Sequence, residues 1–198
     1  MLEIEIIHTP EELENTAKIS VKYELWGTEN MPETYAKMGY ILHDGFYVKM
    51  VCMEKNPLRK YKNHNDPVWQ DSAMEIFMQI PELSKEYMNF ELNANAAILT
   101  AHGYNRSERT VFEDEFIESM RSRSEITEEG WTVWYRIPEK MLARVYGTIN
   151  LKKGSTFRIN FYKVCEGCTP GEFGSYTYIP LKEPSFHEPE YFAEAILV

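Results

Sequence analysis

Residues 65–80 read Asn-Asp-Pro-Val-Trp-Gln-Asp-Ser-Ala-Met-Glu-Ile-Phe-Met-Gln-Ile. The first half is a loop, because Asn65, Asp66 and Pro67 are turn formers and Pro57 lies in the same long stretch, Asn56 to Val68. The second half alternates. Successive side chains of a strand point to opposite faces, so Met74, Ile76 and Met78 share one face, and Glu75, Phe77 and Gln79 the other. Two further segments repeat the pattern. In Tyr87–Asn93, Phe90 and Leu92 oppose Asn89, Glu91 and Asn93; in Phe157–Val164, Phe157, Ile159 and Phe161 oppose Arg158, Asn160 and Tyr162. Each such strand offers one apolar face to a core and one face of acids, amides and aromatics.

The rest of the chain continues in short strands. Leu2–Ile7, Ile19–Trp26, Ala96–His102, Trp131–Ile137 and Phe192–Val198 all read as extended, and Trp26 reads as a core residue at a strand end. Asp44-Gly45, between Tyr35–His43 and Phe46–Glu54, predicts a hairpin with a type I′ turn. Thr9-Pro10-Glu11-Glu12 predicts a capping box and a short helix to about Ala17, and Pro138–Tyr146 a second one. Thr110–Met120 fits either state, and Glu166–Pro189 is mostly irregular. Many short strands with few helices predict one all-β domain over residues 1–198. The expected architecture is an antiparallel, jelly-roll-like β-sandwich with one or two short helices.

Composition narrows the partners. The chain has 198 residues, a formal charge of −10 and a pI near 5.1. Phosphate backbones and anionic lipids need a basic face, so neither nucleic acid nor a membrane is an expected partner. No stretch of about 18 apolar residues exists to span a bilayer. The N-terminus lacks the basic and apolar regions of a signal peptide, which predicts a cytoplasmic protein as the sequence stands, or a secreted one if a leader was trimmed. The three cysteines, Cys52, Cys165 and Cys168, make no disulfide framework. Cys165-Glu166-Gly167-Cys168 has no second ligand pair for zinc, so these read as ordinary thiols.

Trp69 follows Pro67 in a loop, where a core indole is not expected. A flat indole covers the apolar face of a sugar ring, and carboxylates and amides on the next strands can take its hydroxyls. The plain alternative is a solvated sheet face, as every half-buried sheet has.

Val68-Trp69-Gln70-Asp71-Ser72 through Glu75-Ile76-Phe77 resembles the signature of carbohydrate-binding module family 9. Tyr87–Asn93, Gly130-Trp131 with Ile137-Pro138, Asn160–Lys163 and Pro184–Phe192 resemble that family's later segments, in order, from about residue 35 to the C-terminus. The resemblance implies a non-catalytic sugar-binding β-sandwich, often attached to xylan-degrading enzymes, with a terminal sugar clamped between two aromatic rings. By that resemblance Trp69 is one clamp and Phe186 stands where the second Trp is usual. Glu75 and Asn160 match positions that hydrogen-bond hydroxyls. Glu91 falls where such members can carry Arg, and Tyr176 where related sequences often have Trp. The resemblance also implies structural calcium in some members; Asp66 and Asp71 lie in a loop that could offer oxygen ligands, but no metal-ligand set is legible. A glycoside hydrolase is the alternative, since Glu75 and Glu91 on neighbouring strands approach the spacing of about 5–5.5 Å used by retaining enzymes.

Overall fold

The computed structural model describes residues 1–198. Fourteen strands follow in chain order: β1 (Leu2–Ile6), β2 (Ile19–Val21), β3 (Tyr23–Glu24), β4 (Thr34–Ile41), β5 (Gly45–Cys52), β6 (Ala73–Gln79) and β7 (Tyr87–Asn93), then β8 (Ile98–Gly103), β9 (Arg109–Val111), β10 (Arg123–Ile126), β11 (Trp131–Pro138), β12 (Thr156–Cys165), β13 (Glu172–Ser175) and β14 (Ala193–Leu197). Helices α1 (Asp114–Ser119) and α2 (Glu139–Tyr146) complete the set with three short 3-10 turns.

Eleven of the strands run in the order β10-β11-β5-β4-β1-β14-β12-β6-β7-β8-β9, while β13 pairs with β12 and β3, and β2 with β4. This path folds over to make two layers, and β1 joins them. Its first residues, Leu2–Ile4, pair with Ala195–Leu197 of β14, and Glu5–Ile6 then pair with Gly39–Tyr40 of β4. Both pairings are parallel. The sheet is therefore mixed, where a purely antiparallel one was expected: the two ends of the chain lie side by side and run the same way.

Met74, Ile76, Met78, Phe90, Leu92, Phe157, Ile159 and Phe161 meet Tyr40, Phe46, Val48 and Met50 in the main core between the layers. Trp131 belongs to this core and Trp134 faces outward, as their opposite parity requires. The other face of β6, β7 and β12 is also buried. Residues 177–192 lie over it, and Phe186 and Phe192 of this roof meet Phe77, Tyr87 and Tyr162 below in a second apolar cluster. This roof positions the candidate site.

Two local expectations change. The β4–β5 turn closes with Asp44 N–H donating to Ile41 O at 3.1 Å, and its positive-φ residues are His43 (62°) and Gly45 (143°), not Asp44 and Gly45. The loop is one residue longer than a type I′ turn allows. At the N-terminus Pro10–Asn15 is a 3-10 helix, and the Thr9 side chain makes no capping bond. Instead the Glu12 carboxylate accepts the His8 N–H at 2.9 Å.

Candidate functional site

The roof over β6 and β7 stops short of their ends nearest Trp69, leaving a cavity of about 170 Å³. Its floor is a pair of acids. Glu75 and Glu91 are directly opposed in the β6–β7 register, so both side chains leave the same sheet face within contact distance. They are only 2% and 3% exposed. Glu91 has partners: Asn89 Nδ2–H donates to its Oε1 at 2.9 Å, and Arg109 Nη1 lies 3.8 Å away. Arg109 also donates to Asn89 Oδ1 at 3.2 Å, which closes the small network. Glu75 makes no hydrogen bond or ion pair with the protein; its carboxyl opens on the cavity. Burial, then the neighbouring Glu91, holds the Glu75 carboxyl well above the usual carboxylate range. Burial pushes Glu91 up to about 7, against the pull of Arg109 and Asn89.

Two arginines form one wall. The turn between β8 and β9 is ordered by Asn105, whose Oδ1 accepts the N–H groups of Ser107 and Glu108 at 2.9 and 3.0 Å. That turn sends Arg106 and Arg109 into the cavity. Glu166 borders it from the loop after β12, and His187 from the roof. His187 pairs through Nδ1 with the Tyr87 hydroxyl at 2.8 Å. Burial first, then the two arginines, lowers its pKa to about 3, so the ring is neutral.

Aromatic rings supply the rest. Trp69 sits on the 3-10 turn Val68–Gln70, with Val68 buried beneath and the indole partly exposed to the cavity. The loop Cys165–Cys168 clasps this turn. Glu166 N–H donates to Trp69 O and Gly167 N–H to Gln70 O, both at 3.0 Å. A Cβ on Gly167 would collide with Gln70 O, so only glycine allows the approach. Cys165 and Cys168 are joined by a disulfide, which corrects the expectation of free thiols. The missing zinc ligands were no argument against a local bridge: the cysteines flank a tight turn with Cα atoms 5.3 Å apart, well within disulfide reach. Trp26 also lines the cavity, and Phe186 closes its inner end. Phe186 is committed to the second core as well, stacked on Tyr162 with centroids 4.1 Å apart and tilted against Trp26 at 5.4 Å.

The sequence profile of carbohydrate-binding family 9 matches residues 10–197. The chain belongs to this family. A comparison with curated protein sequences finds no match. Among solved structures, a protein of Bacteroides uniformis described as a candidate carbohydrate-binding protein superposes with a TM-score of 0.86 at 19% identity, covering 100% of this chain and 98% of that one. A family 9 module of Caldicellulosiruptor kristjanssonii in complex with cellotriose gives a TM-score of 0.69 at 11% identity, covering 99% of this chain and 92% of that chain. A family 9 module of the same organism in complex with glucose gives 0.67 at 12% identity, covering 99% of this chain and 95% of that chain. At these identities the likeness is one of fold.

Of the residues singled out in this family 9 sequence, Trp69, Glu75, Glu91 and Phe186 come together around the cavity. Asn160 and Tyr176 do not border it. Asn160 is fully buried, and its amide donates to Ser175 Oγ at 3.1 Å and Thr177 Oγ1 at 2.7 Å, tying the roof to β12. Tyr176 packs edge-on against Phe161 at 6.1 Å, beside the main core. Trp26, Arg106, Arg109, Glu166 and His187 border the cavity and were not foreseen. Trp26 leaves the strand for a turn at φ 50°, and the following Gly27 at φ 83° was the available sign. Nor do Asp66 and Asp71 form a calcium cage. Asp71 already accepts the Lys60 and Tyr61 N–H groups and the Asn93 amide, each at 2.9 Å, and Asp66 accepts the Asn63 N–H at 3.0 Å. Their oxygens organise the loop that presents Trp69. No helix is long and apolar enough to cross a membrane.

Proposed function

We propose that this cavity holds a single sugar ring and does not cleave it. One juxtaposition carries the reading: the Trp69 and Trp26 indoles border the same small space as two opposed buried carboxyls and two guanidinium groups. Indoles cover the C–H faces of a pyranose, and acids and guanidinium groups take its hydroxyls. The volume of about 170 Å³ is below the roughly 300–1,000 Å³ of drug-sized pockets, which favours one ring at the end of a glycan over a longer segment. Hydrolysis would need carboxyls on two sides of a scissile bond. Glu75 and Glu91 stand side by side on one floor, and so address the same side of a bound ring. The cellotriose and glucose of the structural neighbours make those sugars the first probes, with xylobiose to test a role in xylan breakdown. The Cys165–Cys168 bridge favours work in an oxidising compartment.

Titration calorimetry with glucose, cellotriose and xylobiose tests the proposal. At least one should bind, and Trp69→Ala should weaken that binding about tenfold or more. Equal binding by Trp69→Ala and the parent would refute the site.

A further inference from the structure

We propose that Glu75 and Glu91 share one proton, that Glu75 is the acid of the pair and donates a hydrogen bond to a sugar hydroxyl, and that the site thereby selects uncharged sugars over uronates. This names the ligand class and the specificity-determining residue of the cavity above, and rests on the sugar-binding reading.

The geometry is asymmetric. Two carboxyls leave neighbouring strands at opposed positions, on one face, out of bulk water. Side by side in such surroundings they cannot both ionise. The close contacts that stabilise a charge go to Glu91: the Asn89 amide at 2.9 Å and the Arg109 guanidinium at 3.8 Å, while Arg106 and Arg109 act on Glu75 only from beyond ion-pair distance. Glu75 has no such contact, so when the pair loses its first proton, near pH 7, the negative charge settles on Glu91 and the remaining proton stays on Glu75. A carboxylic acid without a protein acceptor, open on a cavity, is a hydrogen-bond donor waiting for a ligand oxygen.

The surrounding groups agree. Tyr162 on β12 is the register partner of Glu75 on its other side, and burial keeps that phenol protonated. Tyr87 on β7 is likewise held neutral, with a pKa raised to about 12, and Tyr135 on β11 is held neutral by burial. From the roof, His187 is neutral, and Glu188 beside it acts on the Tyr87 and Tyr162 phenols below. Once Glu91 has ionised, the charged groups bordering the cavity are Arg106 and Arg109 against Glu91 and Glu166, which balance. A ligand carboxylate would upset that balance; a neutral hydroxyl would not. Losing the shared proton would remove the donor and leave the cavity net negative.

Two measurements test this on the intact chain. The first needs no sugar: carbon-13 NMR of glutamate-labelled protein follows the side-chain carboxyls over about pH 4 to about pH 9. One pair should titrate far above the ordinary value near 4.3, and its highest-titrating resonance should vanish in Glu75→Gln. If every glutamate titrates in the ordinary range, the shared proton is wrong. The second is calorimetry with glucose, cellotriose and glucuronate at several pH values. Once pH exceeds the second titration of the pair, that of Glu75, affinity for the neutral sugars should fall about tenfold per pH unit, because only the protonated fraction is competent. In Glu75→Gln, whose amide donates at every pH, that slope should vanish. Between the two titrations of the pair, where the cavity charges balance, glucuronate should bind at least about tenfold more weakly than glucose. A flat profile in the parent would overturn the donor role, and equal binding of glucuronate would overturn the selectivity. A pair that titrates high in a protein binding no sugar at any pH would establish the shared proton and overturn the sugar reading instead.

Discussion

Trp26 holds its indole on a left-handed backbone, φ 50°, a conformation that costs a side-chain-bearing residue about 1–2 kcal/mol. Bulky residues persist there only where the surroundings require them. Here the ring lies edge-on to Phe173 at 5.5 Å, its Nε1–H donates to Leu181 O at 2.8 Å, and its remaining surface borders the cavity. The conformation and the ring pull in opposite directions, and this makes a test. Trp26→Gly relieves the backbone and loses the ring, while Trp26→Ala loses the ring and keeps the strain. Thermal denaturation should find the glycine variant the more stable by about 1 kcal/mol, the reverse of the usual order of the two residues. Both variants should bind sugar about tenfold more weakly than the parent by calorimetry. Alanine melting higher than glycine would show that the left-handed turn relaxes once the ring is gone and is held only by the indole. Trp69 was readable from its own neighbours, since Pro67 and Asp66 mark a loop. Trp26 was not, because Ile19–Trp26 alternates like a strand and the turn that frees the indole is tied through Leu25 and Thr28 to the Phe173 backbone, far away in sequence.

At the level of elements, β6 and β7 were legible for the same local reason: alternation assigns Glu75 and Glu91 to one face without any knowledge of the fold. What alternation does not say is that residues 177–192 cover most of that face and, with the β8–β9 turn and the loop after β12, take both acids out of bulk water. The consequence for stability has a definite sign. The folded chain holds the proton of Glu91 up to about pH 7, whereas an unfolded chain releases it near 4.3. The stabilisation is complete below the unfolded value and disappears as pH rises through the folded one. Glu91→Gln loses this contribution and keeps that of Glu75. Its stability relative to the parent should rise by about 3 kcal/mol between mildly acid and mildly alkaline pH, read by urea unfolding; a constant difference would mean that Glu91 titrates normally. The Cys165–Cys168 loop is a second element whose role emerges only in three dimensions. Its N–H groups grip the carbonyls of Trp69 and Gln70. Cys168→Ser, or a reductant, should lower stability by up to about 2 kcal/mol. Because the clasp positions Trp69, the same change should weaken sugar binding several-fold. Unchanged affinity in the reduced protein would show that the turn stands without the bridge.

Across the whole molecule, the two layers are joined at one side by β1 and plugged at the end by a buried charge. Lys163 shares the face of Phe157, Ile159 and Phe161, which places an ammonium where alternation calls for an apolar residue, and it is fully buried. Its Nζ donates to Glu172 of β13 at 3.0 Å and lies 3.6 Å from Glu54, which follows β5 in the opposite layer. Glu54 in turn accepts from Trp131 Nε1 at 3.2 Å and from the Ser72 hydroxyl, so one carboxylate gathers donors from both layers. A lysine at a core-parity position was the sequence's only sign of this plug, and its partners come from distant segments that no local pattern connects. An ammonium buried without partners would be untenable, so the pairing is obligatory once Lys163 is there. Lys163→Met keeps the apolar stem and removes the charge, leaving two carboxylates that reach water at 14% and 25% side-chain exposure. Rehydration limits the damage to the lower end of the roughly 3–5 kcal/mol seen when one member of a buried pair is removed. Unfolding in urea should therefore show a loss of about 3 kcal/mol, while the folded fraction binds sugar within about twofold of the parent, since the plug does not border the cavity. A loss below about 1 kcal/mol would mean that packing alone closes this end of the sandwich; a large loss of affinity would mean that the plug and the sugar site form one cooperative unit.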